Sequence, residues 1–134
     1  MVETGTLPAV FLVDDAGDVR FLFRIMLEKA GYAVIGEASS GEEALALAPG
    51  LAPAVVLVDM ILPDMSGLEV TRSLQAALPA SRILICSGND DPKLKMEARA
   101  AGAHGWVDKS SASSLVPTVE QALAGSDWSE VLSR

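Results

Sequence analysis

Val55-Val56-Leu57-Val58-Asp59-Met60-Ile61-Leu62-Pro63-Asp64 is the stretch that decides the fold. Four apolar residues in a row, mostly β-branched, read as a short strand buried on both faces, the pattern of a parallel sheet covered by helices. The run stops at an acid and an irregular, Pro-containing loop. Ala9-Val10-Phe11-Leu12-Val13 repeats the design and stops at Asp14-Asp15. Working outward, residues 34–38, 83–86 and 106–107 complete five such runs, with Ser87 directly after the fourth and Lys109 just past the fifth.

Helical spacing fills the intervals. Val19, Leu22, Phe23, Met26 and Ala30 follow a three-four repeat that stops at Gly31. Ser40-Gly41-Glu42-Glu43 opens a second helix, with acids in the first turn where the helix dipole favours them. Ser66 and Glu69 have the capping-box spacing for a third, whose inner and flanking faces are marked by Leu68, Thr71 and Leu74 or Gln75. Asp90-Asp91-Pro92 starts a fourth helix that ends at Gly102. Ser113 or Ser114 starts a fifth, with Pro117 in its first turn and Gly125 at its end. Strands alternating with helices in this way predict an α/β domain, a doubly wound parallel sheet joined by right-handed crossovers. If the runs are neighbouring strands, Asp14, Asp15, Asp59, Ser87 and Lys109 meet at the carboxyl edge, where open sheets of this class bind ligands.

Composition narrows the function. Of 134 residues, half are hydrophobic and 21% charged, which makes one globular domain. The formal net charge is -8 and the ten basic residues are scattered, so direct nucleic-acid binding by this chain is excluded. The longest uncharged apolar stretch, 44–58, is broken by Pro49, Gly50 and Pro53 and is too short for a membrane span. The N-terminus has no secretory pattern, and a cytoplasmic location is expected. Cys86 lies in a buried-strand pattern and has a packing role.

The acids suit a hard divalent cation and a phosphoryl group. Asp59, just past a buried strand, can act as a nucleophile toward phosphorus or simply cap a turn. Asp14 and Asp15 can supply oxygens to Mg²⁺, or cap the first helix. Lys109 can reach a phosphoryl oxygen as a point charge, or stay solvated. Ser87 can donate to the same group or cap a turn, and His104, with no partner at metal spacing, is structural or solvated. Singly each signal is weak; in this order along the chain they are specific.

The segments Phe11-Leu12-Val13-Asp14-Asp15, residues 58–69 and Ala101-Gly102-Ala103-His104-Gly105-Trp106-Val107-Asp108-Lys109 resemble a response-regulator receiver domain, the phosphorylated module of two-component signalling. The resemblance runs from about residue 10 to 125. It implies a flavodoxin-like receiver fold, five parallel strands in order 2-1-3-4-5 with five helices, over residues 9–125. Residues 1–8 are then an N-terminal extension and 126–134 a C-terminal tail or linker stump. It implies Asp59 as phosphoacceptor, with Asp14, Asp15, Asp59 and the backbone carbonyl of Ile61 around Mg²⁺ or Mn²⁺. Ser87 and Lys109 hold the phosphoryl oxygens, Ser87 and Trp106 form the switch, and Ile61 and Asn89 flank the phosphoryl group. The protein is then a signalling switch rather than an enzyme, catalysing only its own phosphotransfer and dephosphorylation.

Partners follow from the same likeness. Phe21 and Ile25 mark a docking face for a sensor histidine kinase or a histidine phosphotransfer protein. Leu94, Met96, Leu115 and Val119 mark the fourth helix, fifth strand and fifth helix as the face for homodimerisation or an output module. Four departures from the family pattern stand out: Trp106 where Tyr or Phe is usual, Ser110 where Pro commonly follows the lysine, Gly88 where Ala is frequent, and an apolar Ile61. The lysine-then-polar pattern is similar to receivers joined to helix-turn-helix output domains, which points to transcriptional control, and Ile61 cannot orient water, which predicts slow phosphoaspartate hydrolysis. The rival readings are a phosphate-independent pseudo-receiver, an aspartyl phosphatase and an FMN binder. Adjacent rather than alternate aspartates argue against the phosphatase, and the lack of a Ser/Thr/Gly loop after the first strand argues against FMN.

Overall fold

A computed structural model describes residues 7–125. The order is β1 (Ala9–Val13), α1 (Gly17–Lys29), β2 (Ala33–Ala38), α2 (Gly41–Leu51), β3 (Val55–Asp59), α3 (Gly67–Ala77), β4 (Arg82–Ser87), α4 (Pro92–Ala100), β5 (Gly105–Asp108), a 3-10 turn (Ala112–Ser114) and α5 (Leu115–Leu123). The strands form one parallel sheet in the order β2-β1-β3-β4-β5, the topology expected of a receiver.

Strand alternation splits the interior into two layers. Phe11, Val13, Val56, Val58, Ile83, Ile85 and Trp106 point to one face, where Ala44 and Ala48 of α2, Val70 and Leu74 of α3, and Ala98 of α4 cover them. Val10, Leu12, Val55, Leu57, Leu84, Cys86 and Val107 point to the other, against Phe23 and Leu27 of α1 and Leu115, Val119 and Ala122 of α5. Every residue of β3 is buried. Each large side chain taken from water here contributes about 1.5–3 kcal/mol.

The helices correct several details. In α1, Leu22 is 46% exposed while Leu27 is fully buried, because the sheet contacts the stripe one position further round. Val70, rather than Gln75, joins Thr71 and Leu74 on the buried side of α3. The N-cap of α1 is Ala16, whose N–H donates to Asp14 Oδ1 at 2.9 Å, so neither aspartate is itself the cap residue. α2 runs through Pro49 to Leu51 and ends on left-handed Ala52, packing having outweighed the lost amide donor. The glycine stops hold, with Gly31, Gly102 and Gly125 all at positive φ. Residues 1–6 and 126–134, most of the expected extension and the whole tail, lie outside the described residues.

Candidate acidic phosphoacceptor site

The sheet order brings the ends of β1, β3, β4 and β5 side by side, and the sequence places a functional group at each. Asp59 is the last residue of β3 and Ser87 the last of β4, both one position inside the strand rather than past it. Asp14 follows β1 and its N–H donates to Ala38 O at 3.0 Å, while the N–H of Lys109, just after β5, donates to Ser87 O at 2.9 Å. Strand backbone therefore fixes all four.

Carboxylate oxygens of Asp14, Asp15 and Asp59 lie within 4.8 Å of one another, with Asp14 and Asp59 buried and Asp15 exposed. The Lys109 ammonium sits 2.8 Å from Asp14 Oδ2 and 3.4 Å from Asp59 Oδ2. Burial, and then the Asp14 charge, push the Asp59 carboxyl above its ordinary value, with Lys109 opposing. Burial pulls the Lys109 ammonium down, but the Asp14 hydrogen bond and the Asp59 charge outweigh it and leave it raised. One cation thus neutralises three acids incompletely. An all-oxygen donor set with surplus negative charge and one ligand open to water fits a hard cation such as Mg²⁺.

The loop after β3 is held at its base. Met60 donates to Cys86 O at 2.9 Å, Gly67 donates to Met60 O at 2.7 Å, and Ile61 and Ser66 form an antiparallel bridge. Gly67 needs its missing side chain, because a Cβ would collide with Asp59 O and stand 2.9 Å from Met60 Cα. Ser66 Oγ caps α3 by accepting from Glu69 N at 3.2 Å. Ile61 is 78% exposed, and its N–H faces Asp59 Oδ1 at 3.5 Å.

Across the site, Ser87 Oγ accepts from Asn89 N at 3.0 Å and donates to Asn89 O at 3.4 Å. Trp106 is buried against the α4 side of the sheet, and its Nε1 has no hydrogen-bond partner. Phe21 and Ile25 lie on the outer side of α1, where Leu22 joins them to make an apolar patch. Leu22 was hidden from sequence reading by its fit to the core repeat. His104 takes a structural place, its Nδ1 accepting from Ile83 N at 3.0 Å at the start of β4. The sequence gives one hint of it, the placement of His104 directly before β5. Among the described residues, no helix is long and apolar enough to cross a membrane.

The family model for the response regulator receiver domain matches residues 10–120. The chain belongs to that family, the receiver modules of two-component signalling. It is 34% identical over 100 residues to the chemotaxis protein CheY of Thermotoga maritima, covering 75% of this chain and 83% of that protein. It is 37% identical over 123 residues to the transcriptional activator protein ExaE of Pseudomonas putida, covering 90% of this chain but 58% of ExaE. Among solved structures, a LuxR-family two-component response regulator from Aurantimonas sp. SI85-9A1 superposes with a TM-score of 0.85 at 35% identity, over 91% of this chain and 89% of that one. The response regulator CheY4 of Vibrio cholerae superposes with 0.79 at 31% identity, over 87% and 99%. The chain therefore spans nearly the length of a chemotaxis receiver, and little more than half that of a transcriptional regulator.

Proposed function

We propose that this receiver takes a phosphoryl group on Asp59 from a phosphohistidine of a sensor kinase or phosphotransfer protein and passes the change to an output partner. The observation that carries the reading is the convergence of Asp14, Asp15, Asp59 and Lys109 at the ends of the neighbouring strands β1 and β3 and of β5. In the transfer, an Asp59 carboxylate oxygen forms the new O–P bond as the N–P bond to the donor imidazole breaks. A Mg²⁺ or Mn²⁺ ion held by Asp14, Asp15, Asp59 and the Ile61 carbonyl supplies charge neutralisation for the incoming phosphoryl group. Lys109 leaves its pairing with Asp59 to balance the phosphoryl oxygens, and the Ser87 hydroxyl exchanges the Asn89 backbone for the same group. That exchange shifts the loop 88–91 and with it the packing around Trp106. The activity stays confined to the chain's own phosphorylation and hydrolysis.

The patch of Phe21, Leu22 and Ile25 supports docking of the donor on α1, and the 64% exposure of Met96 supports an output or dimer contact on α4, β5 and α5, to which Leu115 and Val119, fully buried against the sheet, offer no surface, contrary to the sequence expectation. Likeness to ExaE supports control of transcription through an output module, and the reading as a two-component receiver supports a cytoplasmic location. The apolar, exposed Ile61 offers water no hydrogen bond, so the phosphoaspartate has a lifetime of minutes or more; decay within seconds contradicts this. Transfer from a phosphorylated donor protein tests the docking face. Phe21→Asp blocks transfer from that donor while leaving labelling by acetyl phosphate intact, and equal transfer to both chains removes α1 from the reading.

A further inference from the structure

Asp64 is the acid of the β3–α3 loop that the phosphoryl chemistry leaves without a role. It stands outside the carboxylate cluster of Asp14, Asp15 and Asp59. Both of its oxygens turn instead to the start of α2. Oδ1 accepts from the N–H of Gly41 and Oδ2 from that of Glu42, each at 2.8 Å. These are two of the amides a helix leaves without internal partners, and Ser40 Oγ takes that of Glu43 at 3.2 Å. Bonds from backbone amides to a carboxylate are charge-assisted, and those from Glu42 and Gly41 hold the Asp64 carboxyl below its ordinary value. The adjacent Met65 tightens the joint: a Cβ on Gly41 would clash with Met65 Cγ and stand 2.7 Å from its Sδ and 2.9 Å from Val70 Cγ2.

The loop is thus pinned at its base by Gly67 and Met60, at its tip by α2, and between them by Leu62, which packs in the core. Only Leu62 and Pro63 separate Asp64 from Ile61, and Pro63 has a fixed φ. Displacement at the tip therefore passes to the Ile61 backbone through a short, stiff link. The exposed Ile61 side chain offers little packing to resist it.

We propose that Asp64 is a positioning residue, which clamps the loop tip to the N-terminus of α2 and so holds the Ile61 carbonyl where it completes a divalent-cation site with Asp15 and Asp59. The inference rests on the metal-dependent reading above. Its test is a calorimetric Mg²⁺ titration of the full chain, with thermal unfolding measured alongside, for wild type, Asp64→Ala, Asp64→Asn and Ser40→Ala. Asp64→Ala weakens Mg²⁺ binding about tenfold, the size found when residues supporting metal ligands are removed. Asp64→Asn keeps one acceptor oxygen and loses less. Ser40→Ala uncaps the same helix without touching the loop; it lowers the unfolding midpoint and leaves Mg²⁺ affinity unchanged. Unchanged affinity in Asp64→Ala, or an equal loss in Ser40→Ala, overturns the clamp while the metal site stands. A wild-type chain that binds no Mg²⁺ overturns the metal site and the clamp together.

Discussion

The loops after β3 and β4 leave neighbouring strands at the same edge, yet the first is tied to a helix distant in sequence and the second is held by contacts within itself and its own helix. Residues 60–66 are fixed by the Gly67–Met60 hydrogen bond, the Ile61–Ser66 bridge and the Asp64 contacts with α2. They run into α3, which buries Gly67, Val70, Thr71 and Leu74. In the second loop the contacts are local: the Ser87 hydroxyl engages backbone two residues away, Asp91 caps its own helix by accepting from Lys93 N at 2.9 Å, Asp90 pairs with Lys95 in the first turn of α4, and a Cβ on Gly88 would meet nothing within 4 Å. It runs into α4, where Ala98 alone among the described residues of the helix is fully buried. The indole N–H of Trp106, packed on that side, lacks a partner, and a rearrangement that supplies one recovers about 1–3 kcal/mol. Preorganisation belongs where charge must be met in fixed geometry. Freedom belongs where a small event must become a movement.

Glycine substitutions break this comparison most sharply. Gly67→Ala forces a Cβ into the Asp59 backbone and costs about 1–3 kcal/mol or more in chemical denaturation. Gly88→Ala, in open space and without positive φ, instead stabilises by about 0.4–1 kcal/mol, through the unfolded chain. Equal effects would mean that the loops are equally tight. Native-state hydrogen exchange reads the contrast without mutation: amides of α4 exchange well before those of α3, and matching protection contradicts the account.

The pH dependence of the metal-free chain contrasts the two edges of the sheet, Asp59 at the carboxyl edge and His104 at the other. The Asp59 carboxyl is raised above its ordinary 3.8 by burial and by the Asp14 charge. The folded chain therefore holds that proton better than the unfolded one, and the associated stability is lost as pH rises from 3.8 through the folded value. Asp59→Asn accordingly raises the unfolding midpoint by a few degrees near neutral pH and leaves it unchanged well below pH 3.8. His104 titrates with the opposite sign. Burial first, and then the Arg82 charge, lower it from 6.5, so its contribution is complete above pH 6.5 and is lost as pH falls through the folded value. His104→Gln removes that acid-side loss from the thermal-unfolding profile and costs about 1 kcal/mol at neutral pH through the Ile83 hydrogen bond.

Strand count, helix count and most helix stops were legible because uninterrupted apolar runs, Gly31, Gly102 and Gly125 leave few alternatives, whereas the strand order came only with the resemblance to receivers. The positions of Asp14, Asp15, Asp59, Ser87 and Lys109 were legible because each directly ends or follows such a run. What stayed hidden depends on rotation and distance. Whether Leu22 or Leu27 faces the sheet turns on one helical step, and both fit an apolar repeat. Asp64 reads as a turn residue until α2 arrives from 23 positions earlier in the chain to meet it. The unpaired indole of Trp106 has no signature in sequence, since a missing partner is a property of the packing.

Intact mass after exposure to acetyl phosphate and Mg²⁺, for wild type and Asp59→Asn, tests the central claim most directly. Addition of one phosphoryl group to the wild type and none to the variant is the predicted result. No addition to either chain, or equal addition to both, contradicts the assignment of Asp59 as phosphoacceptor.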